Sequence, residues 1–382
     1  MKVLQVISGM SLKSGGPTTC TYNLLKGLQD TSMAVDLLTF DAVENDKIIS
    51  REDFMKILPP PKKPRFSYSK ALKLWLEEHN DYDLYHTNAL WQYPAHAAAV
   101  FAQKHNKPYI ISPHGMLYPE GLNTSKWFKK VALLLFQKKD LKKATAFHAT
   151  SHREMKYLRA FGLQQPIAVI PNAIDVNTIQ TASIHKKSDP IKIGFLGRLA
   201  PIKNLEVLFE AWHASEALTK QAELVVIGDG EEHYMEHLRT VITKKNIENI
   251  TFTGFLSGEA QEEVMQQLSY LILPSKSENF GMVVPEALAR QIPVIASKGT
   301  PWEELKTHSC GWWIDNDLET LSTTINEALR LDETQRLEMG KNGRALVEEK
   351  YSVDAVSTMM YEFYQWLLSN TETQPSFVDI KS

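Results

Sequence analysis

The sequence predicts an α/β protein built from two consecutive parallel-sheet units. Three observations carry that reading. Strand-like and helix-like segments alternate along nearly the whole chain, the pattern of parallel strands joined by crossover helices. With 382 residues the chain exceeds one ordinary core and fits two domains of roughly 150–200 residues each. From Asn172 to Pro190 the alternation gives way to polar, poorly periodic sequence, then resumes at once with Ile191–Gly197.

In the first unit, residues 1–172, short apolar runs predict strands at Val3–Ser8, Val35–Phe40, Leu84–Thr87, Tyr109–Ser112, Ala146–Thr150 and Ala168–Ile170. Helical periodicity falls between them at Thr18–Leu28, Ser69–His79, Pro94–His105, Ser125–Leu141 and His152–Phe161. Residues 173–190 are expected to be a linker. The second unit, 191–352, continues with strands at Leu224–Gly228, Ile250–Thr253, Tyr270–Leu273 and Val294–Ser297, and is mainly helical from Leu318. The last helix, within 353–369, follows a completed second unit and is expected to pack back on the first, leaving 370–382 as a flexible polar tail.

Composition excludes several classes. A hydrophobic content of 43% with 23% charged residues is that of a globular protein, and a net charge of −3 gives no reason to expect nucleic acid. Two cysteines, Cys20 and Cys310, form no metal-type cluster and fit free thiols in a reducing compartment. The amino terminus reads as a strand, not a signal peptide, and no run approaches the ~18 apolar residues that span a bilayer. The expected location is cytoplasmic.

Chemistry concentrates in the second unit. Glu278 and Glu286, eight positions apart, bracket a turn between the buried run Tyr270–Pro274 and a helix whose first turn holds Pro285. Ligands bind α/β sheets at such strand ends, and free N–H groups at a helix start attract phosphate. A ligand with phosphate on the backbone and hydroxyls on two carboxylates is a nucleotide sugar; the plainer alternative is a Glu286 that only favours the helix start. Gly197-Arg198 and Lys203 follow the first strand of this unit, two cations suited to a diphosphate. Solvated surface cations are the alternative.

In the first unit the loop Gly9–Pro17 either lets backbone approach a ligand through Gly15 and Gly16 or is a plain loop; its spacing does not fit Gly-x-Gly-x-x-Gly. His114, at a strand end before Gly115, either meets a sugar hydroxyl or is a satisfied structural histidine; His86 and Asn88 are weaker candidates of the same kind. Residues 125–143 hold seven lysines around Val131–Phe136, and 51–68 mix Lys56, Lys62, Lys63 and Arg65 with Phe54, Phe66 and Tyr68. Either stretch can rest on an anionic membrane surface; for 125–143 a partly buried helix with solvated ends is the alternative, and Pro59-Pro60-Pro61 marks 51–68 as an exposed loop.

Together the motifs resemble the retaining glycosyltransferases called group 1 or family 4. In the second half Gly197-Arg198 with Lys203, Gly228-Asp229-Gly230, Phe252-Thr253-Gly254-Phe255, the Glu278–Glu286 pair and Gly299-Thr300-Pro301-Trp302-Glu303-Glu304 stand in the family's order. The first half matches through Gly15-Gly16, His114-Gly115-Met116 and Pro171-Asn172-Ala173-Ile174-Asp175, where the family commonly has Gly at the position of Ala173. The resemblance implies a GT-B fold: two Rossmann-like domains, acceptor-binding and donor-binding, facing across a cleft. It further implies that Arg198 and Lys203 grip the donor diphosphate and Glu286 the ribose, while Glu278 and His114 contact the transferred sugar. Gly15 and Gly16 would border the reaction centre. Backbone at Phe255 and Leu256 would meet the base, and the stretch Phe280, Gly281, Met282, Val283 and Val284 sugar or phosphate. No cofactor or metal is implied. The expected reaction moves a hexose or N-acetylhexosamine from a UDP- or GDP-sugar to a growing, lipid-linked surface glycan such as O-antigen, capsule or exopolysaccharide. The alternatives are a soluble small-molecule acceptor, or a non-catalytic nucleotide-sugar-binding protein.

Overall fold

A computed structural model describes residues 1–11, 16–43, 46–62, 66–182, 191–215, 220, 222–369 and 373–380. Met1–Ala173 and Val353–Ser382 form unit 1, and Ile174–Ser352 forms unit 2. The chain begins with β1 (Lys2–Val6), α1 (Gly16–Leu28), β2 (Ala34–Phe40), β3 (Met55–Leu58), α2 (Lys70–Glu78), β4 (Leu84–Asn88), α3 (Tyr93–Lys104) and β5 (Tyr109–Ser112). It continues through α4 (Pro119–Asn123), α5 (Lys126–Ala132), a π-helical turn at Leu133–Gln137, α6 (Lys138–Lys143), β6 (Ala146–Ala149), α7 (His152–Ala160) and β7 (Ile167–Val169). Unit 2 runs β8 (Ile191–Leu196), α8 (Leu205–Ala214), β9 (Ala222–Ile227), α9 (Glu232–Lys245), β10 (Ile250–Gly254), α10 (Glu259–Met265), β11 (Tyr270–Leu273) and α11 (Val283–Ala289). It closes with β12 (Val294–Ser297), α12 (Glu304–Thr307), β13 (Gly311–Ile314), α13 (Leu318–Arg330) and α14 (Glu333–Lys350). The chain then returns to unit 1 with α15 (Val353–Leu368) and β14 (Val378–Asp379).

The strand order in unit 1 is β14-β7-β6-β5-β4-β1-β2-β3, parallel except for β14, which runs antiparallel to β7. Alternation along the strands divides the core between two faces. Val3, Leu37, Leu84 and Ile110 join the core beside α1 and α15, while Leu4, Leu38, Tyr85 and Ile111 join the other. Helices α1 and α15 come so close at Gly27 that a Cβ there would lie 2.5 Å from Val353 Cγ1. Unit 2 is parallel throughout, in the order β10-β9-β8-β11-β12-β13. Its strands leave β8 in one direction to β10, then cross to the other side at β11, so the order reverses between β8 and β11. Crossover loops part at such a point and leave a crevice beyond the strand ends.

Four expectations need correction. The tail is partly ordered: Val378 is buried, β14 extends the sheet beside β7, and Arg159 clasps Asp379 by side chain and backbone. Of the expected linker, Ile174 and Val176 are buried in unit 2's core, with Ile179 and Ala182 packed against it, because apolar side chains recur through that polar stretch. Residues 183–190 lie outside the described residues. The 51–68 stretch is not a free basic loop. Its residues Met55–Leu58 form edge strand β3, Met55 is buried, Lys56 pairs with Asp36 at 3.2 Å, and Phe66 packs on Tyr93 and Phe136. Lys63 and Arg65 lie outside the described residues. The helix expected over Ser125–Leu141 is interrupted by its π-helical turn, the extra residue of which turns Gln137 inward to accept from Trp91 N–H at 2.9 Å.

Candidate functional site

The site in unit 2 is assembled at the reversal point. After β8 the chain turns through Gly197-Arg198-Leu199-Ala200 into a 3₁₀ turn, Pro201–Lys203. Buried Leu199 anchors it, its N–H donating to Asp229 O at 2.8 Å, and Lys276 N–H ties Ile202 O to the loop after β11 at 2.8 Å. A Cβ on Gly228 would lie 2.0 Å from the Gly197 carbonyl oxygen, so only glycine lets the loop after β9 back this one. These constraints carry Lys203 across the crevice. Its Nζ donates to Glu278 Oε1 at 2.5 Å, and Ser275 Oγ donates to the same oxygen at 2.8 Å. Glu278 N–H donates to Gly299 O at 2.9 Å, so the loops after β8, β11 and β12 converge on this residue, the last through its backbone. Its Oε2 has no partner among the described residues. Arg198 is exposed, with no ion-pair partner among them.

Beyond Glu278, Gly281 turns the chain into α11 with φ +81°. Glu286 lies in the first turn of that helix, half-buried. Arg290, one turn on, spends its charge on Glu262 and donates Nη1–H to the Glu286 carbonyl at 2.7 Å. The Glu286 carboxylate accepts no hydrogen bond from a described residue. Burial pushes it up to about 7; the Arg290 charge opposes the shift and Glu262 adds to it. A carboxyl kept in low dielectric without donors costs free energy, and such groups concentrate where a ligand supplies the partner.

Other expected contacts divide. Phe255, at the end of β10, is 66% exposed, whereas Leu256 packs on the core. Phe280 is corrected to a core residue: its ring packs on Trp302 and Tyr351, and its carbonyl accepts from Trp302 Nε1–H at 2.5 Å. Val284 is buried and its N–H donates to Gly281 O at 2.9 Å, so that amide is not free for phosphate. Met282 and Val283 remain half-buried at the turn. Ser275, Arg290 and Trp302 hold the two glutamates and the turn, and nothing local in the sequence marks the first two.

In unit 1, Gly16 opens α1 and is half-buried, while Gly15 lies outside the described residues. His114 and Gly115 both have positive φ (+51° and +74°), and the buried Glu154 carboxylate holds that turn through Gly115 N–H at 2.6 Å. Half-buried His114 donates Nε2–H to Asn88 Oδ1 at 3.1 Å. Burial, reinforced by His148, lowers it to about 3, so it is neutral at physiological pH. His86 is corrected from ligand candidate to core: it is fully buried mid-strand and both ring nitrogens are engaged, by Tyr364 Oη and Ser112 Oγ, each at 2.6 Å. Asn88 is buried and likewise occupied, its Nδ2 donating to Gln5 Oε1 at 3.0 Å. Neither is available to an acceptor.

Two parallel-sheet units, one with a Lys–Glu pair and a bare carboxyl at its strand ends, define the class as a two-domain α/β enzyme fold. The chain belongs to the family 4 (group 1) glycosyltransferases of GT-B fold: residues 177–346 match the model described as glycosyl transferases group 1, and 14–178 the one described as glycosyltransferase family 4. It is similar to a GDP-mannose-dependent phosphatidylinositol monomannoside mannosyltransferase of Corynebacterium glutamicum, at 27% identity over 55% of this chain and 59% of that one. It is also similar to an O-antigen biosynthesis glycosyltransferase of Escherichia coli, at 28% identity over 46% of this chain and 47% of that one. The match thus spans about half the length of these relatives. Among solved structures it resembles in fold a sucrose-phosphate synthase from Thermosynechococcus elongatus (TM-score 0.77, 19% identity, 97% and 100% of the two chains). It likewise resembles Anabaena HepE in complex with UDP and glucose (TM-score 0.73, 20% identity, 96% and 99%).

Proposed function

We propose that this glycosyltransferase moves a hexose or N-acetylhexosamine, with retention of anomeric configuration, from a UDP- or GDP-sugar to a growing lipid-linked surface glycan. The observation that carries the donor half is the half-buried carboxyl of Glu286, bare of hydrogen-bond donors among the described residues, beyond the Lys203–Glu278 pair. Vicinal ribose hydroxyls would supply the donors it lacks. Arg198 and Lys203 would hold the diphosphate and stabilise it as it leaves, charges fixed in advance that need no metal ion. Glu278, through Oε2, and His114 would contact the transferred sugar, Gly15 and Gly16 would border it, and Phe255 would lie beside the base. A HepE structure holding UDP-glucose supports a nucleotide sugar donor. A panel of UDP-, GDP-, ADP- and dTDP-sugars in a thermal-shift assay tests the assignment. One base and sugar class should raise Tm selectively by mass action and lose that effect in Glu286→Ala; an equal response in both proteins sinks it.

The lipid-linked acceptor rests on α5 and the π-helical turn. Trp127, Leu134 and Leu135 are 79%, 83% and 74% exposed, and lysines surround them. Among the described residues no helix is long and apolar enough to cross a membrane, so this patch would rest on an anionic cytoplasmic leaflet as a peripheral contact. Wild-type protein should float with phosphatidylglycerol-containing vesicles, and the double variant Leu134→Ser, Leu135→Ser should remain in the bottom fraction. Absence of wild-type flotation would favour a soluble acceptor.

A further inference from the structure

We propose that Tyr364, Gln5 and Asn88 are positioning residues that fix the tautomer of His114, through one unbroken chain of hydrogen bonds anchored on the Ile170 carbonyl. Six side chains form the chain behind His114, all buried: Asn88, Gln5, Tyr364, His86, Ser112 and His148. They come from β4, β1, α15, β4 again, β5 and β6, so the chain crosses the sheet and reaches the returning helix.

Its direction follows from one end. A carbonyl only accepts, so His148 Nε2 must carry the proton it shares with Ile170 O at 2.8 Å. A neutral His148 then has an unprotonated Nδ1, which accepts from Ser112 Oγ–H at 2.7 Å. With that proton committed, Ser112 Oγ accepts from His86 Nε2–H at 2.6 Å. His86 Nδ1 must in turn accept from Tyr364 Oη–H at 2.6 Å. Tyr364 Oη accepts from Gln5 Nε2–H at 2.9 Å, Gln5 Oε1 from Asn88 Nδ2–H at 3.0 Å, and Asn88 Oδ1 from His114 Nε2–H at 3.1 Å.

Neutrality of the two inner rings is needed, since a doubly protonated imidazole would reverse everything beyond it. Burial supplies it, lowering His148 to about 4 and His86 well below its ordinary value. Reversal of the neutral chain would instead set the His148 lone pair against the Ile170 lone pairs in a site closed to water.

The consequence lies at the other end. His114 carries its proton on Nε2 and presents Nδ1, which has no partner among the described residues, as an acceptor. With a basicity this low it is no general base; it takes a hydrogen bond from a hydroxyl and cannot give one through Nδ1. On the assignment of His114 to the transferred sugar, from which this step follows, the chain selects a ligand hydroxyl as donor at that position.

The test uses the full chain labelled with ¹⁵N-histidine, its tautomers read from long-range nitrogen–proton correlations at neutral pH without ligand. Wild type should show His114, His86 and His148 each as a single Nε2–H tautomer. Tyr364→Phe, and independently Gln5→Met, should leave His114 as a mixture, because the amides between it and the cut can then flip. Turnover of UDP-glucose or GDP-mannose, whichever is accepted, should fall in kcat in proportion to the share of His114 left in the productive tautomer, about two- to tenfold, with donor KM unchanged. A wild-type Nδ1–H tautomer at His114, or a His114 spectrum unmoved by both variants, overturns the relay. Altered tautomers with unchanged kcat overturn its use in transfer. Full turnover in His114→Ala overturns the sugar contact alone, and leaves the tautomer spectrum to decide the relay by itself.

Discussion

Lys203→Met is expected to lower nucleoside diphosphate release by about a hundredfold or more, the usual effect of removing one preorganised group from a developing charge. Methionine keeps the stem against the loop and removes only the ammonium. Two losses coincide. The leaving diphosphate loses a fixed cation, and Glu278 loses the donor that orients it, keeping only Ser275 Oγ on Oε1. Because Lys203 also fastens the loop after β8 to the loop after β11, unit 2 should lose about 2 kcal/mol, the usual worth of a charge-assisted hydrogen bond. A cycle with Glu278→Gln separates the two. If the pair acts as one device, the double variant should be little slower than either single one, since each already breaks the arrangement. Full additivity would mean that the lysine and the glutamate act on different parts of the substrate. Lys203→Met turning over within about threefold of wild type, against an expected loss of about two orders, would remove Lys203 from the site.

That pair was legible in the sequence because each member follows a short apolar run and a turn. The runs Ile193–Leu196 and Tyr270–Leu273, too short for a helix and closed by Gly197 and Pro274, read as buried strands and are, so the polar residues just past them lie at a strand end. What stayed hidden depends on partners distant in sequence. Two residues at Val378–Asp379 become a strand only because β7 has a free edge and Arg159 meets Asp379. Strand β13 is four half-buried residues, two of them tryptophan, with no alternation to mark it. His86 and His114 have the same local signature, a histidine near the end of a strand. One lies inside β4 against α15, the other in a left-handed turn beyond β5, and only the fold separates them. Phe280 and Glu286 differ for a similar reason. The phenyl finds Trp302 and Tyr351 behind it, while the carboxyl six positions on finds no donor.

The Glu286 carboxyl makes the second large prediction, one of pH. Its ordinary value of 4.5 is raised to about 7 in the fold. The folded chain therefore holds this proton more tightly than the unfolded one, so the contribution to stability is complete below 4.5 and is lost as pH rises towards 7. Glu286→Gln cannot ionise and should lack that loss, becoming more stable than wild type above neutrality when no ligand is present. Donor binding should move the other way. Ribose hydroxyls donate to the ionised carboxylate, which favours that form and releases a proton on binding below about pH 7. Wild-type donor affinity should therefore rise between about pH 5 and pH 7 and level off above, while the glutamine variant binds with little pH dependence. At pH 8 the variant should bind about 10- to 100-fold more weakly, the value of hydrogen bonds to a charged group. Calorimetric titration with the nucleotide selected by the donor panel, in two buffers of different ionisation enthalpy, reads both affinity and proton release. A flat wild-type profile, or the same slope in Glu286→Gln, would show that the proton belongs to another group, and the ribose would have to be sought elsewhere in unit 2.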